Sequence, residues 1–282
     1  MKTKVDEVDR NIYDFKNKDD YEFKMKKGLN KEIVEEISRQ KNDPDWMRKI
    51  RLDALAMYDK LELPTWGPDL SELKMDDIAT YVKPKSKLNS SWDDVPEDIK
   101  NTFDKLGIPD AEKKSLGGVG AQYDSEVVYH SMKEDLLKQG VIYTDMETAV
   151  KEYPEIVKEY FMKCVPISEH KFVALHAAVW SGGSFVYVPK GVKLDIPLQS
   201  YFRLNSPESG QFEHTLIIVD EGASLHFIEG CSAPKYNKVN LHAGCVELYV
   251  KDNAYLRYST IENWSKNMMN LNTKKAIVGK NA

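Results

Sequence analysis

The chain has 282 residues, of which 30% are charged, and a formal net charge of −5. It is long enough to bury one or two cores, but it has no basic field to hold nucleic acid or anionic lipid. We find no apolar signal segment and no run near the roughly 18 apolar residues of a membrane span, and we expect a cytoplasmic protein. The three cysteines, an odd number, predict free thiols rather than a disulfide framework.

Helical signals dominate the first part of the chain, which we predict to be a helical N-terminal domain over residues 1–165 that includes an irregular linker. Apolar residues at helical spacing predict a helix over 31–40. Asp43-Pro44 predicts the start of a second helix, with Asp43 as the N-cap and Pro44 as the first helical residue. That helix ends before Pro64, because proline does not continue a helix.

A segment interrupted by prolines, over 64–94, is predicted to be the linker. A short helix is predicted over 96–106, ending at Gly107. Gly117-Gly118-Val119-Gly120 is interpreted as a flexible turn, because its spacing fits neither a dinucleotide-binding loop nor a P-loop. Further helices are predicted over 125–139, 145–152 and 155–162.

The pattern changes near His170, after which short apolar and β-branched segments separated by Gly, Asn, Asp and Pro predict strands. Helical periodicity is weak throughout this part of the chain. Strands are predicted over 172–180, 184–188, 214–219, 224–228, 246–250 and 255–261.

These strands contain an internal repeat. Residues 219–223 (VDEGA) align with residues 250–254 (VKDNA) at an offset of 31, and a third copy begins at Val278 with an offset of 28. The Gly or Asn of each copy suits a tight turn, because both residues tolerate positive φ. A period of about 30 residues built only from short strands predicts a β-solenoid with one coil per repeat.

The predicted fold class is therefore α+β, with the helical domain followed over residues 166–282 by the first part of a β-solenoid. The sequence ends at Ala282, at the turn of a new coil and without a cap. An uncapped solenoid leaves a row of backbone donors and acceptors open. We expect a truncated protein, or one that a partner chain completes.

Cys231 is the cysteine that most suggests chemistry, because it follows a predicted strand at a turn with small neighbours. An accessible thiolate there would suit sulfur chemistry, and Arg203 would favour it if successive coils stack. The alternative is a small buried side chain at a solenoid corner. Cys164 and Cys245 are interpreted as packed core residues, and no Cys-x-x-Cys pair supports a zinc ribbon.

Several polar or aromatic residues occupy predicted strands. Arg203 and Asn205 stand two residues apart, as do Glu262 and Trp264, so each pair is expected to share a face. Inside a solenoid such polar groups must have hydrogen-bond partners or a functional role, whereas on its outer face they are solvated. Alternation makes His226 and His242 candidates for strand faces, where a hydrogen-bonded structural histidine is favoured over a metal ligand.

Six segments, taken in this order, carry a resemblance to a known family: 118–126 (GVGAQYDSE), 186–192 (VYVPKGV), 201–205 (YFRLN), 210–213 (GQFE), 229–234 (EGCSAP) and 258–264 (YSTIENW). Together they resemble the SufB family, the B subunit of the SUF iron–sulfur cluster assembly machinery. The match runs from near Asp43 to the end of the chain.

The resemblance implies a right-handed parallel β-helix behind the helical domain, and a scaffold rather than an enzyme. It implies partners, namely the related SUF D subunit, the SUF ATPase subunit, and a cysteine desulfurase with its sulfur carrier. It also implies an iron–sulfur cluster in the complete protein, and it associates a reduced flavin with the complex. Nothing in it calls for nucleic acid or a membrane.

By the same resemblance, Cys231 matches the sulfur acceptor inside the β-helix. Glu262 stands where family members often have Gln, and a carboxylate there would repel an anionic persulfide unless burial keeps it neutral. The family's cluster ligands match nothing in this chain, so no metal ligands are predicted within it. The positions that match the lining of the sulfur route are Arg203, Asn205, Glu262, Trp264 and Lys280.

Two alternatives remain. The first is a non-catalytic structural subunit in the manner of the D subunit. The second is a solenoid enzyme acting on polysaccharide or acyl groups, which the period near 30 residues and the lack of clustered carboxylates disfavour.

Overall fold

The computed structural model describes residues 14–106 and 116–282. Within these ranges the helices are α1 (Lys31–Lys41), α2 (Asp45–Lys60), α3 (Glu97–Lys105), α4 (Glu134–Lys138), α5 (Met146–Glu152), α6 (Pro154–Tyr160) and α7 (Lys171–Val179). No helix in the described ranges is both long enough and apolar enough to cross a membrane.

The strands that precede or open the stack are β1 (Tyr21–Lys24), β2 (Val82–Pro84), β3 (Gly118–Tyr123), β4 (Glu126–Met132) and β5 (Ile142–Asp145). The strands of the coils are β6 (Ser184–Val188), β7 (Leu198–Arg203), β8 (Gly210–Gln211), β9 (His214–Val219), β10 (Ser224–Ser232), β11 (Asn240–His242), β12 (Cys245–Val250), β13 (Tyr255–Asn263), β14 (Met268–Asn270) and β15 (Thr273–Val278).

Three parallel ladders build the solenoid. One face contains β7, β10 and β13, the second contains β6, β9, β12 and β15, and the third contains β8, β11 and β14. Each coil therefore supplies one strand to each face, for about three turns. The predicted fold class, α+β with a parallel β-solenoid, is confirmed.

The internal repeat is confirmed by the register, which pairs Val219 with Val250 and Val250 with Val278. A residue with positive φ follows each of these valines at the third position, as the tight turn requires. A residue with positive φ also occurs at the third position after Val188, one coil earlier. The four turn residues are Gly191 (φ 75), Gly222 (φ 69), Asn253 (φ 58) and Asn281 (φ 56).

Apolar clusters lie on both sides of the coil walls. Inside the solenoid, residues such as Ile217 and Phe227 pack between coils. Outside, α1, α2 and α7 cover the sheet of β6, β9, β12 and β15, and Trp180 is among the fully buried side chains there. A third cluster packs Phe103 of α3 against the outer face of β3.

The predicted strand over 172–180 is wrong, because this segment is helix α7. All residues from Phe172 to Val179 are buried. A helix that is apolar on every face has no 3.6-residue periodicity, so its sequence resembles a buried strand.

The flexible turn predicted at 117–120 and the helix predicted over 125–139 are also wrong. Residues 118–132 form an antiparallel hairpin, with Tyr123 paired to Glu126, and only the short helix α4 follows. The glycines serve close packing rather than flexibility, since a Cβ at Gly118 would lie 2.7 Å from the Tyr143 ring. Strand β3 is parallel to β7 and so extends a solenoid face.

The other predicted helices are confirmed within about two residues at each end, which is the ordinary uncertainty of helix boundaries. The N-cap of α2 is Pro44 rather than Asp43. Asp43 instead accepts a hydrogen bond from Arg51 Nε at 2.7 Å, and both side chains are buried. Gly107, the predicted end of α3, lies outside the described residues. The domain boundary at residue 165 stays a prediction.

Candidate functional site

Cys231 lies on β10 in the second coil, paired in register with Phe202 of β7 and Glu262 of β13. Burial alternates along β10, so every second residue from Leu225 to Cys231 points into the solenoid. Only 3% of the Cys231 surface is exposed. The expected accessible turn position is wrong, because the strand continues through Cys231.

Glu213, in the segment between β8 and β9, and His242 of β11 complete a polar cluster with this thiol. One side-chain atom from each of Glu213, Cys231 and His242 lies within 4.8 Å of the other two, and we call these three residues the interior thiol cluster. His242 Nε2 lies 2.5 Å from Glu213 Oε1, and His242 Nδ1 lies 2.8 Å from Asn270 Oδ1. The Trp264 ring packs on His242 with 4.4 Å between ring centroids.

Glu262 adjoins this cluster as the register partner of Cys231. Its carboxylate accepts hydrogen bonds from Trp264 Nε1 at 3.1 Å, Asn270 Nδ2 at 2.5 Å and Lys274 Nζ at 2.9 Å. Glu262 and Trp264 therefore lie together, and Lys274 supplies the charge that matches the carboxylate.

Burial raises the pKa of the Cys231 thiol well above its ordinary value, and the carboxylates of Glu229, Glu213 and Glu262 raise it further. Lys274 acts in the opposite direction. The thiol is therefore protonated at neutral pH. A thiolate forms only when a neighbouring group takes its proton.

Glu213 is the candidate acceptor for that proton, because one of its carboxylate oxygens lies within 4.8 Å of the Cys231 sulfur and its buried Oε2 has no hydrogen-bond partner among the described residues. Burial acts to lower the pKa of His242, but the Glu213 carboxylate outweighs it and raises that pKa. The Cys231 sulfur thus has three polar neighbours. They are the Glu213 carboxylate, which has a free lone pair, the His242 imidazole, which readily becomes charged, and Lys274. This set can deprotonate a thiol and offset the charge of anionic sulfur. Its S, N and O donors also suit a borderline divalent metal as cargo.

Arg203 and Asn205 lie outside the solenoid interior. Arg203 is paired with Ser232, one residue beyond Cys231, so alternation places its side chain on the opposite face of the sheet. Its guanidinium donates to Ser232 Oγ at 3.3 Å and to the Phe15 carbonyl at 2.6 Å. Asn205 Oδ1 accepts a hydrogen bond at 3.0 Å from the backbone of the same N-terminal segment.

Lys280 lies in the exposed turn after β15, where its amide donates to Asp252 Oδ1 at 2.7 Å. The cation beside the site is Lys274. The sequence analysis did not predict that Lys274, Glu213 and His242 lie close to Cys231. Part of this arrangement could have been predicted from the repeat. The repeat offset of 31 pairs Cys231 with Glu262, and the offset of 28 pairs His242 with Asn270.

Comparison with known families finds matches over both parts of the chain. A family model described as "SufBD protein N-terminal region" matches residues 29–200, and one described as "SUF system FeS cluster assembly, SufBD core domain" matches residues 202–282. The class that these features define is a β-solenoid protein of the SufBD type. The chain belongs to the SufBD family, and the resemblance to SufB is confirmed.

Curated relatives agree with this assignment. The chain is 53% identical over 282 residues to the iron–sulfur cluster assembly protein SufB of Bacillus subtilis, covering 100% of the chain and 61% of that protein. It is 53% identical over 281 residues to an iron–sulfur cluster assembly SufBD family protein of Staphylococcus aureus, covering 100% of the chain and 60% of that relative. The chain thus spans about three fifths of the length of these relatives.

Proposed function

We propose that this protein is a SUF iron–sulfur cluster assembly scaffold in which Cys231 accepts sulfur inside the β-solenoid. The observation that carries the proposal is the interior thiol cluster, which combines a sheltered sulfur with a proton acceptor and nearby cations. The partners are the SUF D subunit, the SUF ATPase subunit, and a cysteine desulfurase with its sulfur carrier, in the cytoplasm. The cluster is the product of this assembly, and a reduced flavin accompanies the complex.

The sulfur-transfer step needs a persulfide donor of the form R–S–S⁻. Glu213 takes the proton of Cys231, and the resulting thiolate attacks the outer sulfur of the donor. A bond forms between Cys231 Sγ and that sulfur, the donor S–S bond breaks, and R–S⁻ leaves. His242 and Lys274 offset the negative charge of the new persulfide, because charges in a water-poor interior interact strongly. The route that the resemblance assigns to Arg203, Asn205 and Lys280 stays a prediction.

Persulfide trapping on the protein tests this proposal. A persulfide donor followed by an alkylating probe is expected to label the native chain, and Cys231→Ser is expected to abolish that label. Cys164→Ser is the matched control, since it also removes a buried thiol but lies outside the interior thiol cluster. Equal labelling of the native and Cys231→Ser proteins would overturn the sulfur-acceptor role.

The deep burial and raised pKa of Cys231 are what a structural, D-like subunit without cluster chemistry would also show. Reconstitution with iron and sulfide in the presence of the partner subunits separates the two functions. The scaffold gains visible charge-transfer absorbance that depends on Cys231, whereas a structural subunit gains none.

A further inference from the structure

A second cluster of metal-ligating side chains lies outside the solenoid wall, beneath helix α7. His176 of α7, His214 of β9 and Cys245 of β12 each place one side-chain atom within 4.8 Å of the other two, and we call them the outer histidine cluster. Each of the three is at most 1% exposed. The register pairs His214 directly with Cys245.

The ring nitrogens of both histidines are oriented as in a metal site. His176 Nδ1 lies 2.9 Å from the Ala243 carbonyl and must donate to it, which leaves Nε2 as a ligand. His214 Nε2 lies 3.2 Å from Glu247 Oε2, which leaves Nδ1. The two remaining nitrogens face each other at 3.0 Å. Metal-binding histidines usually anchor the second ring nitrogen on a carbonyl or carboxylate in this way.

Without a metal, these hydrogen bonds determine which ring nitrogens of His176 and His214 carry protons. His176 Nε2 can only accept, so His214 Nδ1 donates to it, and His214 Nε2 then shares one further proton with Glu247. The Glu247 carboxylate is held by the amides of Met162 at 2.6 Å and Val165 at 2.9 Å. A divalent cation would replace the Nδ1 proton and the Cys245 thiol proton, and its charge would be matched by one thiolate and one carboxylate.

We propose that the outer histidine cluster binds one divalent metal ion of the borderline class, Zn²⁺ or Fe²⁺, through these three side chains. Two imidazoles and a thiolate are the donors that these ions prefer. Zn²⁺ takes imidazole nitrogen at about 2.0–2.1 Å and thiolate at about 2.3 Å, which fits a gap of 3.0 Å between the two nitrogens after a small outward shift. This site departs from the expectation that the chain holds no metal ligands, and it is independent of sulfur transfer at Cys231.

Because all three ligands are buried, the metal is supplied during refolding of the full 282-residue chain, with Co²⁺ as the spectroscopic probe. At the outer histidine cluster we expect about one Co²⁺ per chain, in addition to any metal at the interior thiol cluster, with a thiolate-to-cobalt charge-transfer band and release of about two protons per metal on binding. Cys245→Ser should lose the charge-transfer band, and His176→Gln should weaken binding by about 10- to 100-fold or more. Cys231→Ser, which removes a thiol from the interior thiol cluster, should keep both.

Failure of the native chain to bind Co²⁺ stoichiometrically would show that the cluster is only a hydrogen-bond network and would overturn the proposal. Loss of the band in Cys231→Ser but not in Cys245→Ser would also overturn it, since the metal would then sit inside the solenoid. If Cys245→Ser or His176→Gln does not fold, the ligand atoms around the metal are identified by X-ray absorption spectroscopy of metal-loaded Cys231→Ser. One sulfur with two imidazole nitrogens supports the site, and any sulfur-free shell refutes it.

Discussion

At the scale of single residues, Glu262 shows how a carboxylate is accommodated beside the Cys231 thiol. Burial acts to raise its pKa, but the hydrogen bond and charge of Lys274, together with the Trp264 indole N–H, bring that pKa down to about 2. Glu262 is therefore ionised and paired, rather than neutral. Its charge is matched by Lys274, so it holds the cation in place beside the thiol.

Glu262 should make the stability of the protein depend on pH in the acid range. Its pKa in the folded state lies below the ordinary value of 4.5, so its stabilisation is complete above that value and is lost as the pH falls toward about 2. We expect Glu262→Gln to lower the free energy of unfolding at about pH 7 and to have a smaller effect near pH 3. Urea unfolding at both pH values measures this, with Glu134→Gln on exposed α4 as the control. An equal loss at both pH values would contradict the assignment.

Lys274, rather than Lys280, should assist sulfur transfer. Lys274 donates to Glu262 at 2.9 Å and acts to lower the pKa of Cys231. Lys274→Met should slow persulfide transfer to Cys231 by about tenfold, equivalent to ~1.4 kcal/mol, whereas Lys280→Met should leave the rate unchanged. The rate of persulfide labelling measures both. If only Lys280→Met slowed persulfide transfer, the assisting residue would be Lys280, as the family resemblance indicated, and not Lys274.

Part of this site could be predicted from the sequence, because the repeat offset found at the turns also holds along the paired strands β10 and β13. The offset of 31 that aligned the turns also pairs Cys231 with Glu262. Between β7 and β10 the offset is 29, which pairs Phe202 with Cys231 and Arg203 with Ser232, so the Arg203 side chain points outward while Cys231 points inward. A sequence does not show how many residues each loop takes up, and a shift of one residue exchanges the two faces of a strand.

At the scale of secondary-structure elements, a helix with one exposed side was predicted, whereas a helix buried on every side was not. Helix α1 shows an apolar stripe, and its predicted and observed bounds nearly coincide. Helix α7 is buried on all sides, and β3 is rich in glycine because Tyr143 packs against it. In these two elements, tertiary packing rather than local propensity decides the structure.

The coil turns should tolerate only residues that adopt positive φ. Gly222 has a φ of 69°, and the space around its position is open, so a substitution there is limited by the backbone alone. Gly222→Val should destabilise the protein by ~1–3 kcal/mol, measured by urea unfolding. Gly222→Asn should cost much less, since Asn253 already occupies the equivalent position one coil further on. Equal losses for Val and Asn would show that the turn conformation is not the limiting factor.

At the scale of the whole molecule, the two ends of the coil stack differ. At one end, β4 and β5 run antiparallel to β3 and β6 and form the sheet edges. At the other end, β13 and β15 are the edges, and their Ile261 and Ile277 side chains are 65% and 51% exposed. Open strand edges with apolar side chains favour pairing with another chain.

Self-association of these 282 residues, studied by themselves, is expected to involve the open edges of β13 and β15. Ile277→Lys places a charge on the open edge and is expected to shift the sedimentation profile toward monomer at a given protein concentration. Leu137→Lys, which changes an exposed leucine on α4 far from that edge, is the control and should leave the profile unchanged. Association that responds equally to both substitutions would indicate nonspecific hydrophobic contact.

The antiparallel strands at the first end of the stack have a consequence for biogenesis. As the ribosome delivers the chain from its N-terminus, the hairpin of β3 and β4 and the strand β5 emerge before any coil does. Each later coil then finds a completed template on which to add its strands, one layer at a time. Maturation of this protein is therefore expected to be directional, with nucleation at the hairpin and growth away from it during translation.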